Sequence, residues 1–138
     1  MTSGAGPGRG GGRSDKCRVV LADDTPEIRT LLRLTLEDQG GIEVVGEAGD
    51  GAKAVEIVSE LQPDAIVLDL AMPVMDGFEA IPEVRRRSPA TKIIVLSGFD
   101  ESVMCERALS LGADLYFEKG ISFFDLAEKV VESCPGRA

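Results

Sequence analysis

The 138-residue sequence predicts an α/β fold: a (βα)5, doubly wound, five-stranded parallel sheet. Two observations carry this. Five short runs rich in β-branched and other aliphatic residues recur along the chain, and segments with helical spacing of apolar residues separate them. Most of the runs are nearly continuous in apolar side chains, as strands covered on both faces must be.

The strand segments are Cys17–Ala22 (CRVVLA), Ile42–Glu47 (IEVVGE), Ala65–Leu70 (AIVLDL), Lys92–Ser97 (KIIVLS) and Asp114–Glu118 (DLYFE). The helical segments are Pro26–Gln39, Gly51–Leu61, Gly77–Arg87, Glu101–Leu111 and Ser122–Ser133. In the first of these Ile28, Leu31, Leu32 and Thr35 recur at spacings of three and four, which predicts one buried stripe and a polar face for water. Pro26 suits a first turn, Asp100 or Ser122 suits an N-cap, and Gln39-Gly40-Gly41 and Leu111-Gly112 suit helix ends. Right-handed crossovers then put helices on both faces, and by analogy the strand order is the flavodoxin-like 2-1-3-4-5.

Composition bounds what such a domain does. A hydrophobic share of 43% with only 4% aromatic residues requires an aliphatic core. A net charge of −9 supplies no basic stripe for nucleic acid phosphates and would be repelled by anionic membrane surfaces, so neither is an expected direct partner. Cys17, Cys105 and Cys134 lack zinc-ligand spacing, and there is no histidine. Reduced thiols in a cytoplasmic protein are the expectation, with Cys17 and Cys105 in or near apolar surfaces and Cys134 on a frayed C-terminus. No apolar run approaches the roughly 20 residues needed to span a bilayer. Residues 1–15 (MTSGAGPGRGGGRSD) contain no large apolar side chain beyond the first methionine and read as a disordered Gly-rich tail. One domain over 16–134 and a short C-terminal tail over 135–138 complete the organisation.

The polar residues gather where open parallel sheets bind ligands, at the carboxyl ends of the strands. Strand 1 runs into Asp23 and Asp24, strand 3 carries Asp69 near its end, strand 4 ends at Ser97 and strand 5 leads to Lys119. Any one of these acids could merely cap a helix or face water. Three carboxylates brought together repel one another, and a hard divalent cation bound through oxygen keeps them ionised most cheaply; magnesium is the expected ion.

On LADDTPEIR, DLAMPVMDG, IIVLSG and GADLYFEKG, the chain from Lys16 to Ser133 closely resembles the receiver domains of response regulators in two-component signalling, such as the chemotaxis regulators. The run D-x-x-M-P-x-x-D-G, Asp69 to Gly77, is the most specific of these. The resemblance implies that Asp69 is the phosphoacceptor, that Asp24 and Asp69 ligate Mg2+ directly together with the Ala71 backbone carbonyl, and that Asp23 acts through water. It implies that Lys119 pairs with Asp69 or the phosphoryl oxygens, that Ser97 donates to a phosphoryl oxygen, and that Tyr116 is a switch aromatic responding to Ser97. Implied partners are a histidine kinase or phosphotransfer protein as donor and a downstream protein or output domain reached through helix 4, strand 5 and helix 5. Phosphorylation could also drive homodimerisation there.

The chain departs from the family at three positions. Gly120 stands where most receivers have proline after the lysine, so no cis-proline turn can form. Ala71 and Phe99, each two residues after a site residue, cannot orient a water, which predicts a long-lived phosphorylated form. Other functions fit less well. A pseudo-receiver acting only as an interaction module would usually have lost the acceptor, acid pair or lysine. A flavodoxin-like electron carrier wants a hydroxyl-rich phosphate loop and aromatics, a magnesium-dependent phosphohydrolase wants an acid at position 71, and a nucleotide binder wants a phosphate loop that is missing. With no room after helix 5 for an output domain, the chain reads as a stand-alone regulator or a piece of a longer one. Either way it is a receiver and not an enzyme with a dedicated substrate.

Overall fold

The computed structural model describes residues 16–98 and 102–134. The readings made for the two tails, Phe99 and the candidate cap Asp100 lie outside those residues.

Five strands and five helices alternate: β1 (Cys17–Ala22), α1 (Pro26–Asp38), β2 (Ile42–Ala48), α2 (Gly51–Leu61), β3 (Ala65–Leu68), α3 (Gly77–Arg87), β4 (Lys92–Ser97), α4 (Ser102–Leu111), β5 (Leu115–Glu118) and α5 (Phe123–Ser133). The sheet is parallel throughout, in the order β2-β1-β3-β4-β5, so the expected architecture is the observed one. Between Val19 and Val20 the register against β2 shifts by one residue, leaving Val45 as the extra residue of a bulge.

The strands are continuously apolar because alternate side chains enter two different cores. Val20, Ala22, Ile66, Leu68, Ile93 and Val95 pack with Ala54, Val58, Ile81, Val84 and Ala108 of α2, α3 and α4. Cys17, Val19, Leu21, Ala65, Val67, Ile94 and Leu96 pack on the other face with Leu32 and Leu36 of α1 and Leu126, Ala127 and Val130 of α5.

Helix starts follow from side chains that accept the otherwise unpaired first-turn amides. Asp50 accepts from Lys53 N at 2.8 Å to start α2, and Ser122 caps α5, as its sequence position suggests. Asp76 and Glu79 form a reciprocal capping box at α3, with Glu79 N donating to Asp76 at 2.9 Å and Asp76 N to Glu79 at 3.0 Å. Gly40 and Gly41, at φ of +82° and +83°, turn the chain after α1.

Several expectations need correction. Leu31 is 51% exposed and Leu34 58%, so α1 presents apolar side chains to solvent; the buried stripe uses Leu32 and Leu36. β3 ends at Leu68, two residues earlier than expected, although the Asp69 amide still bonds to Ala22 O of β1; β5 begins at Leu115. Cys17 and Cys134 are joined as a disulfide, and Cys134 is buried at the end of α5 where a frayed thiol was expected. Their positions, 117 residues apart in sequence, meet because β1 and α5 share one core face. Cys105 is a free, half-buried cysteine on α4. Among the described residues no helix is long and apolar enough to cross a membrane.

Candidate functional site

The sheet edge formed by the ends of β1, β3, β4 and β5 holds the predicted polar group. Parallel pairing continues for one residue past β3, where Asp69 N donates to Ala22 O at 2.9 Å, and past β4–β5, where Lys119 N donates to Ser97 O at 2.8 Å. These two backbone bonds set the base from which both side chains reach the site. Asp23 is anchored the same way, its amide donating to Ala48 O at 3.0 Å.

Asp23 and Asp69 are buried, 3% and 4% exposed, while Asp24 is exposed. One carboxylate oxygen from each of Asp23, Asp24 and Asp69 lies within 4.8 Å of the others. Lys119 Nζ sits between the two buried acids, 3.1 Å from Asp23 Oδ2 and 3.3 Å from Asp69 Oδ2. Their other oxygens accept backbone amides: Thr25 N donates to Asp23 Oδ1 at 2.9 Å and Ala71 N to Asp69 Oδ1 at 3.2 Å. Arg29 Nη1 donates to the Asp23 carbonyl and thereby ties α1 to the site.

Burial raises the Asp69 carboxyl above its ordinary range, assisted by the neighbouring Asp23 charge and opposed by the Ala71 amide and Lys119. Lys119 is also raised: burial works to lower it, but the Asp69 and Asp23 carboxylates together outweigh that effect. Three carboxylates face one ammonium, so the group carries excess negative charge even with Lys119 in place. An all-oxygen donor set with two buried acids and one solvent-accessible acid suits a hard divalent cation such as Mg2+ that keeps water in its shell.

Ser97 is fully buried at the end of β4, and half-buried Tyr116 on β5 packs against the α2–α3–α4 core. Ala71 is exposed directly beside Asp69, and Gly120 lies in the turn where Ile121 N donates to Glu118 O at 3.0 Å. Gly77 is required by geometry: a Cβ there would run into the Asp69 carbonyl oxygen and the Leu70 Cα, while its amide donates to Leu70 O at 2.9 Å. The sequence reading missed Val74, whose φ of +69° is rare for a β-branched residue, in the same loop. It also missed the contact of Arg107 of α4 over the Phe78 ring, 4.0 Å to the centroid. No local pattern marks either, since both depend on how the loop and helices pack.

Residues 19–131 match the family model described as the response regulator receiver domain. The chain is 36% identical over 121 residues to the response regulator protein VraR of Staphylococcus aureus; the match covers 88% of this chain and 58% of that protein. The chain thus spans under three fifths of the length of the curated relatives it matches. Among solved structures, the signal receiver domain of the putative response regulator NarL from Mycobacterium tuberculosis superposes with a TM-score of 0.84 at 35% identity, covering 90% of this chain and all of that one. A two-component response regulator of the LuxR family from Aurantimonas superposes with a TM-score of 0.82 at 30% identity, covering 88% of this chain and 87% of that one.

Proposed function

Because the chain belongs to the response regulator receiver family of two-component systems, we propose that Asp69 accepts a phosphoryl group from a histidine kinase or phosphotransfer protein and that this modification switches the α4–β5–α5 face. The observation that carries the reading is the Lys119 ammonium held between Asp23 Oδ2 and Asp69 Oδ2 in a cluster of three acids.

Each residue has a defined part. The Asp69 carboxylate is the nucleophile that forms the acyl phosphate. Lys119 offsets charge on the transferring phosphoryl oxygens, a contribution that grows where burial excludes water. Asp24, Asp69 and the Ala71 carbonyl would hold Mg2+, with Asp23 acting through water; the ion supplies charge neutralisation for the incoming phosphoryl group. The Ala71 amide and Lys119 keep Asp69 pointed at the cluster. The histidine-free chain contains no donor of its own kind, so the phosphoryl group comes from another molecule.

Phosphorylation adds nearly two negative charges and several strong acceptors at the end of β3. Ser97, one strand away, then donates its hydroxyl to a phosphoryl oxygen, and Tyr116 turns inward into the space this movement opens. The altered face is read by a downstream protein, an output domain or a second copy of the chain. The chain turns over no dedicated substrate; its chemistry is gain and loss of its own phosphoryl group. This reading puts the exchange in the cytoplasm.

Incubation with magnesium and acetyl phosphate, followed by intact mass measurement, tests it. The parent is expected to gain roughly 80 Da and an Asp69→Asn variant nothing. Absence of any gain, together with absence of magnesium binding, would instead favour a phosphorylation-independent interaction module.

A further inference from the structure

We propose that Cys17 and Cys134 form a reversible redox clasp that fastens the last turn of α5 to the first residue of β1. The clasp closes by thiol–disulfide exchange with a small-molecule disulfide of the glutathione type. The two cysteines are joined with a Cα–Cα separation of 6.0 Å, within the range a disulfide requires without backbone movement. Their packing creates this proximity. Cys17 opens the interior strand β1, with its amide donating to Gly41 O at 2.7 Å, and Cys134 is the C-cap of α5, with its amide donating to Val131 O at 3.1 Å. Both are buried in the core face shared by α1 and α5.

The position decides what the bond controls. Leu126, Ala127 and Val130 hold the body of α5 by apolar packing, with or without the bond. Beyond Val130 the helix contributes only half-buried Val131 and Cys134 to that core, and its last turn has no basic side chain to stabilise the terminal carbonyls. With thiols at both positions this turn is held in that core only by Val131 and Cys134, and helix ends open locally. Opening exposes Cys134, which gives an exchange partner its access despite burial in the closed state. The bond removes that freedom.

The exchange balances without metal or enzyme. One cysteine thiolate attacks the small disulfide and releases one small thiol, leaving a mixed disulfide; the second cysteine thiolate displaces the other small thiol. Two electrons pass from the cysteine pair to the small disulfide, and the two cysteine protons end on the released thiols. Excess small thiol reverses both steps. Disulfides in a reducing compartment are usually transient or redox-sensing, which is the behaviour proposed here. Cys105 is not part of the pair: it lies on α4, which packs on the opposite face of the sheet. Asp64 lies near both sulfurs and is already bonded by the Arg18 amide at 2.8 Å, so with open thiols the same group could instead hold a soft metal ion.

The test is a redox titration of the full chain in glutathione buffers, with alkylation by iodoacetamide after denaturation and intact mass measurement. The expected result is three labels per chain in excess reduced glutathione and, in excess oxidised glutathione, no label on Cys17 or Cys134 while Cys105 carries one label or one glutathione, reversibly. Native-state hydrogen exchange should be about tenfold slower at the end of α5 in the oxidised form. Reduction should lower Tm by about 10 °C, a shift that a Cys134→Ser variant does not show. Three labels at every ratio, one label even in excess reduced glutathione, or equal exchange in both forms would each overturn the clasp. So would one zinc ion per chain retained by the reduced protein under titration and blocking closure.

Discussion

Lys119 Nζ stands 3.3 Å from Asp69 Oδ2, across 50 positions of sequence, and the same ammonium is 3.1 Å from Asp23 Oδ2. Lys119 therefore touches both buried acids, which makes its replacement informative. Lys119→Gln keeps a nitrogen donor on a side chain one bond shorter and removes the charge. Phosphoryl uptake by Asp69 from acetyl phosphate should fall about a hundredfold, as expected for loss of one electrostatic partner at a reacting centre. Uptake at the parent rate would mean that Lys119 has only a structural role.

The two raised groups act on stability in opposite pH ranges. Asp69 holds its proton more tightly folded than unfolded, because its folded value lies above 3.8. The stability this confers is present below 3.8 and lost as pH rises through the raised folded value. In magnesium-free buffer Asp69→Asn should therefore gain stability relative to the parent at pH 7 and lose that advantage near pH 3. Lys119, raised above 10.5, contributes stability below 10.5 that disappears as pH rises through its folded value. The difference between parent and Lys119→Gln should shrink there. Urea midpoints measured across pH check both signs.

Asp24 separates metal binding from folding. It is exposed, and its nearest side-chain partner, Thr25 Oγ1, is 3.5 Å away. Asp24→Asn should change stability without magnesium by no more than about 0.5 kcal/mol. Magnesium at a hundred times its Kd should stabilise the parent by about 2.7 kcal/mol. The variant should show most of that gain lost at the same concentration in a thermal melt, and equal gains in both proteins would remove Asp24 from the ligand set.

Most of the fold was legible because the strand runs supply apolar side chains to two cores and residues such as Pro26 and Ser122 mark helix starts. The Asp76–Glu79 capping box is an equally local signal that the sequence reading did not use. The candidate site was legible because Asp23, Asp24, Asp69 and Lys119 stand at strand ends, where the topology brings them together, and Ser97 ends β4 on the same edge. What failed was long-range or conformational. Leu31 has the spacing of a core residue, but only packing decides which edge of a wide apolar stripe is covered. Cys134 looked like a terminal thiol because nothing local says that α5 ends against the start of β1. β3 ends at Leu68 although Leu70 is also buried and apolar, so apolar periodicity does not register where the strand stops.

The β3–α3 loop carries conformational cost beside the site. Val74 has φ of +69° and is 83% exposed, so its side chain gains little from burial while its β-branch crowds the left-handed backbone. Asn tolerates that conformation. Val74→Asn should stabilise the chain by about 1 kcal/mol in urea titration. No change, or a loss, would mean that Val74 makes interactions that offset the strain.

Ala71 governs the fate of the phosphoryl group in the proposed mechanism. It is exposed immediately beside Asp69, its amide donates to Asp69 Oδ1 at 3.2 Å, and its methyl group can neither accept a proton from water nor orient one. Hydrolysis of the acyl phosphate must then proceed without a side-chain base at this position. A polar residue here would sit within reach of the attacking water without disturbing the backbone bond to Asp69. Ala71→Glu and Ala71→Asn should therefore shorten the lifetime of purified phosphoprotein by about tenfold, a small share of what a well-placed general base contributes. Loss of label followed by intact mass distinguishes the cases. A parent that loses its phosphoryl group as fast as either variant would show that water is oriented by something other than the residue at position 71.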